Sequence, residues 1–113
     1  MTVKPTPLLV NVTFAPGRDL ADSFVDWARR HYMPAATATP GCSSAMLLRV
    51  AAADTHDGSA ITYAIQFRAS SPEVAIRWLE ERLQTLVGEF LNGRHPQSLP
   101  FFPSVMEVID ELQ

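Results

Sequence analysis

His31, Tyr63 and Arg49 are the side chains here whose types and settings could carry chemistry. His31 ends an apolar run, Leu20, Phe24, Trp27 and His31, spaced i, i+4, i+7, i+11, which puts it on the inner stripe of a helix. An imidazole in that place, with an ordinary pKa near 6.5, can act as a general acid or base. Its plainer role is to bond a loop carbonyl and anchor the Met33-Pro34 bend, since a helix C-terminus favours imidazolium. Tyr63 lies among Ile61, Ile65 and Phe67, so its ring belongs to a core and its hydroxyl needs a partner. If that hydroxyl meets His31 beneath the helix, the two begin an apolar pocket shaped by Trp27 and Phe67; otherwise the hydroxyl makes a structural bond. Asn11, Gln66 and Arg49 are polar residues of predicted strands. They can hold a ligand carboxylate with Arg49 as its bidentate partner, or they can satisfy one another and Glu107.

The elements that must position these groups are legible from periodicity and turn chemistry. Leu8, Val10, Val12 and Phe14 alternate with Leu9, Asn11 and Thr13, a first strand. Ala15-Pro16-Gly17 is a turn, Asp19 can cap the first helix, and Pro34 interrupts that helix near Tyr32, with one further turn able to restart there. Residues 44–53 and 59–68 read as second and third strands joined by a hairpin turn at 54–58. Ser71-Pro72-Glu73 opens a second helix with the stripe Ile76, Leu79, Leu83, Leu86, Val87 and Phe90, and Asn92-Gly93 stops it. Trp78 flanks that stripe at a solvated border, where Arg82 can cover its ring. A Pro-punctuated loop, 94–103, precedes a last strand over 104–110. Its adjacent Phe101 and Phe102 cannot both point inward, so one is expected on a partner subunit or at a pocket mouth.

The order β-α-β-β-α-β predicts an α+β, ferredoxin-like sandwich in which two helices cover one face of a four-stranded antiparallel sheet. At 113 residues the expectation is one domain over 1–113. Alternation places Asn11, Thr13, Thr62, Ala64 and Gln66 on the other, open face, with Leu47 and Arg49 or Glu107 from the edges. Only 19% of the chain is charged, against about 25% in typical soluble domains, and this face is where charge is missing. A face turned to bulk water would carry Lys and Glu, so burial against a second copy is expected.

Net charge is −3 and one Lys accompanies eight Arg, which gives no electrostatic footprint for nucleic acid or an anionic membrane. The open face of the third strand also lacks the stacking aromatics an RNA-recognition sheet needs. No apolar run reaches the ~18 residues of a membrane span and no hydrophobic signal core opens the chain, so a cytoplasmic protein is expected. Cys42 reads as structural, and with His31, His56 and His95 scattered no metal or other cofactor is expected.

The run Phe24-Val-Asp-Trp27-Ala-Arg-Arg-His31-Tyr-Met-Pro34 resembles the first-helix signature of dimeric α+β barrel proteins. With Asn11-Val12-Thr13, Leu47-Leu48-Arg49, Tyr63-Ala64-Ile65-Gln66-Phe67 and Met106-Glu107-Val108, the chain resembles an uncharacterised bacterial domain family of that superfamily and, more distantly, the EthD-type proteins. The resemblance implies a homodimer with facing sheets and no particular activity. A non-catalytic role, or binding of a small apolar or aromatic ligand, is therefore the expectation. The alternatives are a cofactor-free enzyme of monooxygenase, isomerase or cyclase type using His31, and an amino-acid-sensing regulatory module, suggested by Pro16-Gly17 between the first strand and helix.

Overall fold

Strand β1 (Leu8–Phe14) buries Leu8, Val10, Val12 and Phe14 completely or nearly so and leaves Leu9, Asn11 and Thr13 half-buried. Strand β3 (Tyr63–Ala69) repeats that alternation with Tyr63, Ile65, Phe67 and Ala69 inward. Both are central strands of an antiparallel sheet ordered β2-β3-β1-β4, flanked by the edge strands β2 (Cys42–Arg49) and β4 (Phe101–Glu107). Neighbours on both sides and a helix-covered face explain why their sequences alternate so cleanly. The fold comes from a computed structural model that describes residues 8–50 and 61–112; the expected hairpin turn at 54–58 lies outside them.

The edge strands depart from the sequence reading. Strand β4 begins at Phe101, so residues assigned to a loop are paired with β1, Phe102 opposite Thr13 and Phe101 opposite Phe14. The adjacent aromatics thus point to opposite faces: Phe101 packs on Phe14 at 6.0 Å between ring centres, and Phe102 is 66% exposed on the open face. Pro103, which has no N–H to give a ladder, is tolerated because β4 is an edge. In β2 a bulge lies between Ser43 and Met46, where Ser44 takes a left-handed φ of 58°. One extra residue exchanges the two faces beyond it. Met46 and Leu48 therefore oppose Gln66 and Ala64 on the open face, while Leu47 and Arg49 oppose Ile65 and Tyr63 on the helix side. Glu107, opposite Leu8, is also on the helix side, so the expectation of Leu47, Arg49 and Glu107 on the open face is corrected.

Helix α1 covers 21–38 as α-helical Ala21–Trp27, a π-turn Ala28–Tyr32 and α-helical Met33–Ala38. A 3-10 turn, Arg18–Leu20, leads into it with Gly17 at its N-cap, so Asp19 sits inside the turn and does not cap the helix. The π-turn immediately precedes Pro34, whose missing N–H weakens the helical ladder there. Past Trp27 the buried residues of the helix are Ala28, Tyr32 and Ala36, and His31 is exposed.

Helix α2 covers 72–91 in the same way: Pro72–Arg77, a π-turn Trp78–Leu83, then Gln84–Leu91. Ser71 Oγ accepts the Val74 N–H at 3.2 Å, and Asn92, left-handed at φ 46°, ends the helix as its sequence foretells. Trp78 is 1% exposed and Ile76 51%, the reverse of their expected places. Between the helices and the sheet the aromatic rings interlock: Trp27 lies 4.9 Å from Phe90, Tyr32 5.1 Å from Trp78, and Phe67 4.7 Å from Trp78. No helix among the described residues is long and apolar enough to cross a membrane.

Candidate functional site

The expected pair, His31 and Tyr63, is not brought together. Tyr63 is buried with its ring 5.0 Å from Phe24, whereas His31 stands in solvent on α1. Trp27 and Phe67 are core residues, linked through Tyr32 and Trp78. Asn11 and Gln66 do meet, on the open face: Gln66 Nε2 donates to Asn11 Oδ1 at 3.2 Å, and Asn11 Nδ2 donates to Thr13 Oγ1 at 3.2 Å. These groups satisfy one another across β1 and β3, one of the two outcomes their placement allowed.

The bulge in β2 creates a different constellation. By turning Arg49 to the helix side opposite Tyr63, it brings both residues to a cavity of about 440 Å³, where Asp22, Val25 and Arg29 of α1 face Leu47 and Leu48 of β2. Neither guanidinium forms an ion pair with any described residue. Two cations, one carboxylate and a tyrosine around an apolar floor suit a small organic anion that also carries a hydrogen-bond donor. A second, more apolar cavity of about 410 Å³, lined by Met33, Pro34, Thr37 and Ala45, shares Arg29 with it and extends the groove along α1. Among the described residues no group of three or more His, Cys, Asp or Glu is placed to hold a metal ion.

Burial sets the character of the remaining titratable groups. The Tyr32 phenol is driven far above its usual range by desolvation, and burial likewise pushes the Cys42 thiol up. Tyr32 Oη and the indole nitrogens of Trp27 and Trp78 are buried with no hydrogen-bond partner among the described residues.

A family model described as a domain of unknown function, DUF4286, matches residues 8–109. The chain belongs to this family. No curated protein matches it. Among solved structures, this DUF4286 chain is similar to a dimeric ferredoxin-like protein from an uncultured marine organism, with a TM-score of 0.58 and 17% identity over 94% of this chain and 99% of that one. It is also similar to an EthD-like protein from Ralstonia eutropha, with a TM-score of 0.62 and 16% identity over 95% and 96%. A third similar structure is a monooxygenase from Streptomyces coelicolor bound to nanaomycin D, with a TM-score of 0.63 and 15% identity over 96% and 93%. At these identities the likeness establishes the ferredoxin-like α+β fold and carries no activity with it.

Arg29 and Asp22 are the site residues that the sequence reading does not single out. A signal was present. Asp22, Val25, Arg29 and Met33, spaced 3, 4 and 4, form a second stripe on α1 beside the core stripe, and all four line the groove against β2.

Proposed function

We propose that this DUF4286 chain works as a homodimer joined through its open sheet faces, and that each copy binds a small carboxylate-bearing aromatic compound in the Arg29–Arg49–Tyr63 cavity without transforming it. The observation that carries the binding is the convergence of two guanidinium groups, neither paired with a described residue, on one cavity with Tyr63. A guanidinium grips a carboxylate through two parallel N–H bonds, Asp22 can accept from a hydroxyl or amine elsewhere on the ligand, and Val25 and Leu47 supply apolar contact. The solvent position of His31 supports binding over proton transfer in an enclosed pocket. Dimerisation is supported by the four large apolar side chains exposed on the open face, Met46, Leu48, Phe102 and Met106.

Calorimetric titration with 4-hydroxybenzoate tests the site, with 4-hydroxybenzamide as its uncharged counterpart. The acid is expected to bind more tightly than the amide. Arg49→Gln and Arg29→Gln are each expected to weaken the acid by about tenfold, the scale of one hydrogen bond to a charged group. Equal binding of acid and amide, or no change in either variant, overturns the reading.

A further inference from the structure

Helix α2 carries a second cavity, separate from the Arg29–Arg49 groove. It encloses about 270 Å³ and is lined by Thr39 and Pro40 on one side and by Val74, Arg77, Trp78, Glu81 and Arg82 on the other. Three observations single it out. Its lining is mostly apolar, with Pro40 and Val74 beside Trp78, which is 1% exposed. The mouth carries two guanidiniums, Arg77 and Arg82, that form no ion pair among the described residues, so the balance with Glu81 is one net positive charge. Trp78, Glu81 and Arg82 all belong to the π-turn, the kind of helix distortion found often at functional sites.

The opposite wall is held in place by the backbone. Gly41 has φ 88°, and a Cβ there would come within 2.7 Å of Ser70 Oγ, so only glycine lets the 39–41 turn approach the start of α2 this closely. The Gly41 carbonyl accepts the Ser70 N–H at 2.8 Å. Thr39 Oγ1 donates to the Ala35 carbonyl at 2.8 Å, so Thr39 is already occupied as a donor. The groups left to recognise a ligand are the two guanidiniums, both donors, beside an apolar interior.

We propose that this cavity is a binding site for an amphiphilic monocarboxylate: an aliphatic chain against Pro40, Val74 and the Trp78 ring, with its carboxylate held by Arg77 or Arg82.

The chain has two tryptophans, Trp27 and Trp78, so its proton–nitrogen NMR spectrum contains two indole N–H signals, separable by sequential assignment without mutation. Titration with octanoate to millimolar concentration is expected to move the Trp78 signal in a saturable way, to leave that of Trp27 in place, and to give contacts between octanoate methylenes and the Trp78 ring. Arg77→Gln combined with Arg82→Gln is expected to raise the apparent dissociation constant by about tenfold or more, while Arg49→Gln leaves it unchanged. A Trp78 signal that stays in place overturns the proposal. So does a shift indifferent to the paired Arg variants, or one abolished by Arg49→Gln, which would assign octanoate to the other groove.

Discussion

Tyr32 sits at the centre of the aromatic interior, with Phe14, Trp27 and Trp78 at 5.8, 5.6 and 5.1 Å, and its hydroxyl has no partner among the described residues. A buried hydroxyl without a partner is destabilising, so Tyr32→Phe is expected to increase stability by about 1 kcal/mol near neutral pH. The same burial gives the variant a pH signature. The folded state holds the phenol neutral well above the ordinary tyrosine value of 10.0, whereas the unfolded chain ionises near that value. Above it the unfolded state binds fewer protons than the folded one, so stability is retained below about pH 10 and falls as pH rises further. Cys42, also raised by burial, acts in the same sense in both proteins. Urea unfolding at about pH 8 and about pH 11 should therefore show the Tyr32→Phe advantage widening at the higher pH. An advantage that stays constant would mean that Tyr32 ionises freely in the folded protein.

Edge strand β2 departs from its sequence pattern because a single inserted residue shifts the phase, and each helix departs by the place of one or two residues on its inner stripe. In α1 the buried stripe runs Phe24, Ala28, Tyr32 and Ala36, in α2 Ala75, Trp78 and Leu83 are buried while Ile76 is exposed, and in β2 the bulge at Ser44 moves Arg49 from one face to the other. A period of 3.6 or 2 predicts faces only while it is unbroken, and the sequence does not mark where it breaks. Much of the pattern was legible: Leu20, Phe24 and Trp27 are inward, as are Leu83, Leu86 and Val87 and the alternate residues of β1 and β3. It failed at His31, whose inward place Tyr32 takes, at Ile76, which Trp78 replaces, and at Arg49 beyond the bulge. Paired substitutions test which residue closes the inner stripe of α1. Tyr32→Ala is expected to cost about 3–5 kcal/mol as a large core truncation, and His31→Ala less than about 0.5 kcal/mol as a surface change. Denaturant midpoints showing the opposite order would place His31, not Tyr32, on the inner stripe.

At the scale of the whole molecule, the proposed assembly rests on the open face. Its centre is the ladder Gln66–Asn11–Thr13, which is polar but already satisfied, and its margins carry Met46, Leu48, Phe102 and Met106. Among its described residues Arg68 is charged, and it is held by Glu111 at 3.0 Å. Such a surface resembles the middle of an interface more than a water-facing sheet. Ala64, paired with both Thr13 and Leu48, lies within it. Ala64→Arg places a charge at the proposed contact, so light scattering is expected to change from twice the chain's 12.5 kDa to that mass itself, with far-ultraviolet circular dichroism unchanged. Leu48 belongs both to this face and to the wall of the Arg29–Arg49 cavity. In the proposed dimer a partner sheet lying on Leu48 would border the proposed ligand site, and binding and assembly would then be linked by a shared free energy that acts equally in both directions. Ala64→Arg should weaken 4-hydroxybenzoate even though it leaves Arg29, Arg49 and Tyr63 intact, and 4-hydroxybenzoate should tighten the native dimer. A native chain that is monomeric at micromolar concentration would remove both effects and leave the open face without its cover.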